Sequence, residues 1–166
     1  MATTRLGDHE VHTVGDLPAV GAAAPDATLT GTDLRDLTLP RGRRVVLNVF
    51  PSIDTGTCAK SVRRFNEIAA GLDSTAVLCV SADLPFAQRR FCGAEGIENV
   101  TTASTFRSTF GADYGLTMVD GGMRGLLARS VFVLDPHGIV SYVELVPSIG
   151  QEPDYDAAVA AVESLA

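Results

Sequence analysis

Basic side chains are in short supply: 13 Lys and Arg face 20 Asp and Glu, a formal net charge of -7 over 166 residues. A nucleic-acid binder carries a basic stripe that neutralises phosphates. None is visible here, so small uncharged substrates or a protein partner fit better. Long apolar runs are missing too. The strongest, Val45 to Phe50, is far too short to span a bilayer, and no membrane association is expected. Met1 to Asp8 lacks the basic start, apolar stretch and small-residue cleavage site of a secretory signal, which makes the cytoplasm the expected location. Cysteine is sparse. Cys58, Cys79 and Cys92 are too few, and odd in number, for a secreted disulfide framework. In a reducing compartment such cysteines serve as buried structural residues, metal ligands or catalysts. No repeat period and no Pro/Gly/Ser-rich linker divides the chain. Hydrophobic residues at 46% and charged residues at 20% give an ordinary globular balance, so residues 1–166 are expected to form one domain.

What is present is a succession of short buried strands and helices. Glu10 to Val14 reads as one arm of an N-terminal β-hairpin, with Gly7-Asp8 at its turn. Val45 to Phe50 has the near-continuous apolar pattern of a strand buried on both faces, and Pro51 ends it. Cys58, Val62, Phe65, Ala69 and Leu72 then recur at spacings of 4, 3, 4 and 3, one face of a helix. Asp54, Thr55 and Thr57 are candidate caps, so this helix should begin within a residue or two of Cys58. Ala76 to Ser81 is a second strand. Asp83-Leu84-Pro85 opens a second helix, which runs toward Phe91-Cys92 and stops at Gly93 or Gly96. Val100 to Thr102 reads as a short strand. Ser130–Leu134 and Ile139–Leu145 flank the turn Asp135-Pro136-His137-Gly138 as a hairpin, and Tyr155, Val159, Val162 and Leu165 mark a last helix. This order gives an α/β class with a mixed sheet flanked by helices, and an embellished thioredoxin-like fold fits it.

Cys58 has the most informative surroundings. A helix N-terminus carries about half a positive elementary charge, which stabilises a thiolate placed there. Lys60, Arg63 and Arg64 add positive charge nearby. Taken alone, a cysteine heading an apolar stripe is more often a small core residue. The residues upstream change that judgement. Pro51 to Cys58 spells Pro-x-x-x-Thr-x-x-Cys between a buried strand and a helix. That motif resembles the peroxidatic-cysteine loop of peroxiredoxins. The longer stretch Asn48 to Gly56 with Cys58 is similar to the bacterial thiol peroxidase subfamily, as are Ser81 to Gln88, Arg90 to Gly96, Ser104 to Arg107 and Glu152 to Tyr155. The similarity covers nearly the whole chain beyond its first ten or so residues.

The resemblance implies roles for five residues. Cys58 matches the peroxidatic thiol and Cys92 the resolving thiol of an atypical two-cysteine enzyme. Thr55 matches the threonine that hydrogen-bonds thiolate and peroxide, and Pro51 the proline that shields the pocket from water. Arg129, before Ser130-Val131, stands where the family has an arginine. A guanidinium stays charged at working pH and holds two acceptors at once, whereas without the cysteine loop this residue reads as an exposed strand-end charge. The implied substrates are hydroperoxides, organic ones preferred, with thioredoxin as electron donor, no cofactor or metal, and a homodimeric assembly. Cys79, inside a strand with no turn, glycine or charge beside it, is assigned to the core. A Cys-x-x-Cys pair is excluded, because Cys58 and Cys92 lie 34 positions apart. His9, His12 and His137 lack metal-ligand spacing. Gly121-Gly122 and Gly125 lack the lysine-serine pair of a phosphate loop and read as a flexible connection. Three rivals keep the same residues in view, and the first, a disulfide oxidoreductase acting on proteins, is disfavoured because the two reactive cysteines are not held in one short loop. A peroxide sensor would use the same disulfide as a switch without rapid cycling, and a purely structural protein would show ordinary thiol reactivity at Cys58.

Overall fold

Alternation along the strands decides which side of the sheet each residue serves. The computed structural model describes residues 1–165. Strands β1 (Thr3–Leu6) and β2 (His9–His12) form a separate antiparallel hairpin, turned at Gly7 with φ 61°. The expected N-terminal hairpin is therefore present, but its second arm starts at His9 and ends at His12, short of Val14.

Seven strands make the main sheet: β3 (Thr28–Gly31), β4 (Asp36–Thr38), β5 (Arg44–Val49), β6 (Thr75–Ser81), β7 (Thr101–Ser104), β8 (Ser130–Leu134) and β9 (Val140–Leu145). Their order is β4-β3-β7-β6-β5-β8-β9. The three central strands, β7, β6 and β5, are parallel, and both flanks are antiparallel, giving the mixed sheet of a thioredoxin-like fold. Four helices complete it: α1 (Gly56–Ala69), α2 (Pro85–Glu95), the short α3 (Phe110–Asp113) and α4 (Tyr155–Glu163).

On β5, Val46 packs with Phe65 of α1 and Val162 of α4, whereas Val45, Leu47 and Val49 face a second layer containing Phe110, Tyr114 and Leu116. Burial on both faces explains why β5 reads as an unbroken apolar run. Phe91 of α2 packs on the same cluster as Val62 of α1 and Cys79 of β6, so α2 shares α1's side of the sheet. Helix α2 runs to Glu95, and Gly96 takes the left-handed φ of 64° that closes it, the later of the two expected stops. Strands β3 and β4 and helix α3 add to the expected element order. They span four, three and four residues, too short for a periodicity to register.

Candidate active site

Three elements converge on Cys58. The end of β5 leads through Phe50 and Pro51, both buried, into a loop that enters α1. Thr55 is the N-cap. Its hydroxyl oxygen accepts the Cys58 N–H at 3.3 Å and donates to the Ser52 carbonyl at 3.2 Å. One side chain thus caps the helix and closes the loop, which fixes Cys58 in the first turn. Asn48, buried in β5, donates to Ser61 Oγ at 3.2 Å, and Ser61 Oγ donates to the Cys58 carbonyl at 2.8 Å. The strand is pinned to the helix directly beneath the thiol.

Arg129 comes from the residue just before β8. It is 1% exposed, among the most buried large side chains of the protein. Its Nη2 donates to Cys58 Sγ at 3.2 Å, while Nε and Nη2 donate to the Ile149 carbonyl at 2.9 and 2.8 Å. Nη1 is buried with no hydrogen-bond partner. A buried guanidinium aligned by a backbone carbonyl is pre-organised to hold a negative sulfur and one further acceptor. Ile53, also buried, lines the same apolar cluster as Cys58 and Phe50.

Cys58, Thr55, Pro51 and Arg129 are thus brought together. Cys92 is not joined to them. It sits in the last turn of α2, half-buried, with Sγ 3.6 Å from Thr102 Oγ1 on β7. It lines a cleft of about 320 Å³ bounded by Gly31, Asp33, Arg89 and Thr102, and Cys58 does not line that cleft. All three cysteines are free thiols. Cys79 is fully buried, and burial pushes its thiol up to about 12, although the Asn48 amide, 3.7 Å from its sulfur, pulls the other way. Such a thiol stays protonated and inert at neutral pH.

Helices α1 and α2 are clamped at the surface. Arg63 of α1 makes a two-pronged ion pair with Glu95 at 3.0 and 2.8 Å and lies over the Phe91 ring. Arg90 reaches Asp54 of the cysteine loop at 3.4 Å.

Asp83 escaped the sequence reading as a site residue. Its carboxylate accepts hydrogen bonds from Ser52 Oγ at 2.8 Å, the Ile53 N–H at 2.7 Å and Ser81 Oγ at 2.6 Å. No local pattern announces this, because its partners in the cysteine loop, Ile53 and Ser52, lie 30 and 31 residues upstream. His12 is bonded to Asp120 and Glu10 at the N-terminal hairpin, away from the cysteines, and these bonds, the one to Asp120 most of all, raise its pKa. Among the described residues, no group of three or more His, Cys, Asp or Glu side chains gathers to hold a metal ion, and no helix is long and apolar enough to cross a membrane.

A thioredoxin-like sheet that presents a capped, buried cysteine to a guanidinium defines a thiol-based redox protein. The Redoxin family profile matches residues 19–159. The thiol peroxidases of Mycobacterium tuberculosis (strain ATCC 25618 / H37Rv) and Corynebacterium glutamicum are 58% and 54% identical over 164 residues, 98% of this chain and 99% of each relative. A solved peroxiredoxin-like protein from Aquifex aeolicus has 41% identity and a TM-score of 0.95, over 100% of this chain and 98% of that one. The thiol peroxidase from Chromobacterium violaceum shares the fold, with a TM-score of 0.90 at 19% identity over 99% and 97% of the two chains. The chain belongs to the redoxin family, and within it to the thiol peroxidases, which makes it a peroxiredoxin-type oxidoreductase.

Proposed function

We propose that Cys58 reduces hydroperoxides to water or an alcohol, with Cys92 as the resolving thiol. The Cys58 thiolate attacks the terminal peroxide oxygen, the O–O bond breaks, and the leaving alkoxide or hydroxide takes up a proton. Cys58 is left as a sulfenic acid. The Cys92 thiol displaces water from it to form the Cys58–Cys92 disulfide. A dithiol donor, thioredoxin by family likeness, restores both thiols by exchange. No metal, haem or flavin enters the scheme.

The observation that carries this reading is the Arg129 guanidinium, buried against Cys58 Sγ at 3.2 Å with a second nitrogen that has no protein partner. One arm holds the thiolate and the other is free for a peroxide oxygen, so both reactants are aligned and the developing charge is stabilised. Thr55 Oγ1 can give its one proton to either in place of the Ser52 carbonyl, and Pro51 keeps water from the thiol. Ile53, buried in the same apolar cluster as Cys58, gives the thiol apolar surroundings that suit organic hydroperoxides. The family likeness also supports a homodimer acting in the cytoplasm.

Turnover decides between enzyme and sensor. With cumene hydroperoxide and a reduced thioredoxin system in excess, many peroxides should be consumed per chain. Consumption that stops at one peroxide per chain with thioredoxin still reduced would make the protein a stoichiometric sensor.

A further inference from the structure

Asp83 stands two residues before the proline that opens α2, one position outside the N-cap. The N-cap is Leu84, which makes no side-chain cap bond. The Asp83 carboxylate turns instead to the loop that carries Cys58. Oδ1 accepts from Ser52 Oγ, and Oδ2 accepts from the Ile53 N–H and from Ser81 Oγ, all within 2.8 Å. Ser52 is the residue whose carbonyl takes the Thr55 hydroxyl, and Thr55 caps the Cys58 amide. The Asp83 carboxylate is therefore tied to the peroxidatic turn by a continuous chain of hydrogen bonds.

The carboxylate is itself held from behind. Ser81 ends β6, and its hydroxyl receives Gln88 Nε2 of α2 at 3.1 Å. Gln88 is fully buried and also donates to the Ala103 carbonyl of β7 at 2.9 Å. Ser104 Oγ donates to the Asp83 carbonyl. Two strands and α2 thus brace one charged group against the loop, and bonds to an ionised acceptor are the stronger kind.

We infer that Asp83 is a positioning residue for peroxide attack: it sets Ser52 and Ile53 so that Pro51 and Thr55 stand correctly against Cys58. The inference rests on the function proposed above. Asp83 does not touch the thiol. Its effect is geometric, and displacement by about 1 Å is enough to slow an aligned displacement up to 10²-fold. Gln88 adds a consequence. Because it belongs to the helix that carries Cys92, any unwinding of α2 that reaches back to Gln88 would loosen the brace on the attacking loop at the same time.

Asp83→Asn keeps the volume but replaces one acceptor oxygen with a donor NH2, which faces the Ile53 N–H or a serine hydroxyl. The pre-reduced full-length chain is mixed with excess cumene hydroperoxide in a quenched-flow device, and disulfide is counted by alkylation and mass. The observed rate rises linearly at low peroxide, with the slope reporting attack, and levels off at the rate of resolution. For Asp83→Asn the slope should fall about tenfold, with the plateau within twofold of wild type and a full amplitude. Ser52→Ala, which removes one donor and leaves the carboxylate, should lower the slope about threefold and covers failure of the first variant to fold. A purely structural role would lower the amplitude and leave the slope as in wild type. That result, or a slope within twofold in a folded Asp83→Asn, overturns the inference. A wild type that forms no disulfide removes the proposed function and this inference together, whereas a working wild type matched by Asp83→Asn removes the inference alone.

Discussion

Arg129 Nη2 lies 3.2 Å from Cys58 Sγ, and the same nitrogen donates to the Ile149 carbonyl at 2.8 Å. The carbonyl aims the guanidinium, and the guanidinium aims the thiol. Arg129→Ala removes the charge and leaves a buried carbonyl without its donors, a stability cost of about 1–3 kcal/mol. Peroxide consumption should fall roughly 10²-fold, the usual effect of losing a pre-organised donor. Arg129→Lys keeps a charge but not the fork, and should land between the two. The rate of Cys58 alkylation by iodoacetamide at pH 7 should fall in the same order. Unchanged alkylation would remove Arg129 from activation of the thiol.

Cys79 should be silent in the native protein. Burial holds its thiol near 12, so below that pH it remains protonated. Iodoacetamide at pH 8 should label Cys58 and Cys92 and reach Cys79 only after unfolding. Mass mapping of the labelled peptides checks this, and Cys79→Ser should keep most of the peroxidase activity.

The proposed Cys58–Cys92 disulfide should call for a local change of structure. The two Cα atoms of a disulfide lie about 4.4–6.8 Å apart. Here Cys58 is held by Arg129 in the first turn of α1, whereas Cys92 faces Thr102 across a separate cleft. Oxidation should therefore unwind the first turn of α1, the segment from Arg89 to Gly96, or both. Amide hydrogen exchange in these segments should be about tenfold faster in the disulfide form than in the dithiol form, with the central strands unchanged.

The α1–α2 clamp gives a pH signature. Its bond to Arg63 holds the Glu95 carboxyl below the ordinary range. The stabilisation is thus present above the unfolded value of about 4.5 and is lost as pH falls through the lower, folded one. Glu95→Gln should melt about 1–2 °C below wild type at pH 7, and the gap should narrow as the pH is lowered and Glu95 protonates. With the clamp gone, resolution by Cys92 should also be faster. A melting difference that does not narrow with falling pH would assign the effect to something other than this ion pair.

How much was legible in the sequence follows from how local each signal is. The cysteine loop is a contiguous run, and Thr55, Pro51 and Cys58 act within eight residues of each other, so the motif shows them directly. Strand β5 is apolar on both faces because it is central, and its pattern says so. Arg129 was found only by family likeness, because its partners Cys58 and Ile149 lie 71 and 20 residues away. Asp83 was read as a helix opener, since nothing in Ser81-Ala82-Asp83 reveals that its carboxylate faces the loop. Strands β3 and β4 were missed because Thr28-Leu29-Thr30 and Asp36-Leu37-Thr38 each hold a single apolar residue between polar ones, too short a run for an alternation to register.

The most direct test follows peroxide loss and protein mass in wild type and in each of the three Cys→Ser variants, under one dithiol donor. Wild type and Cys79→Ser should cycle. Cys92→Ser should consume about one peroxide per chain and then stall as a sulfenic acid or pass to higher oxides. Cys58→Ser should consume none. Turnover retained in Cys58→Ser, equal loss in Cys79→Ser, or an oxidised wild type joined through Cys79 or to a second chain would show that Cys58 and Cys92 do not hold the roles given to them.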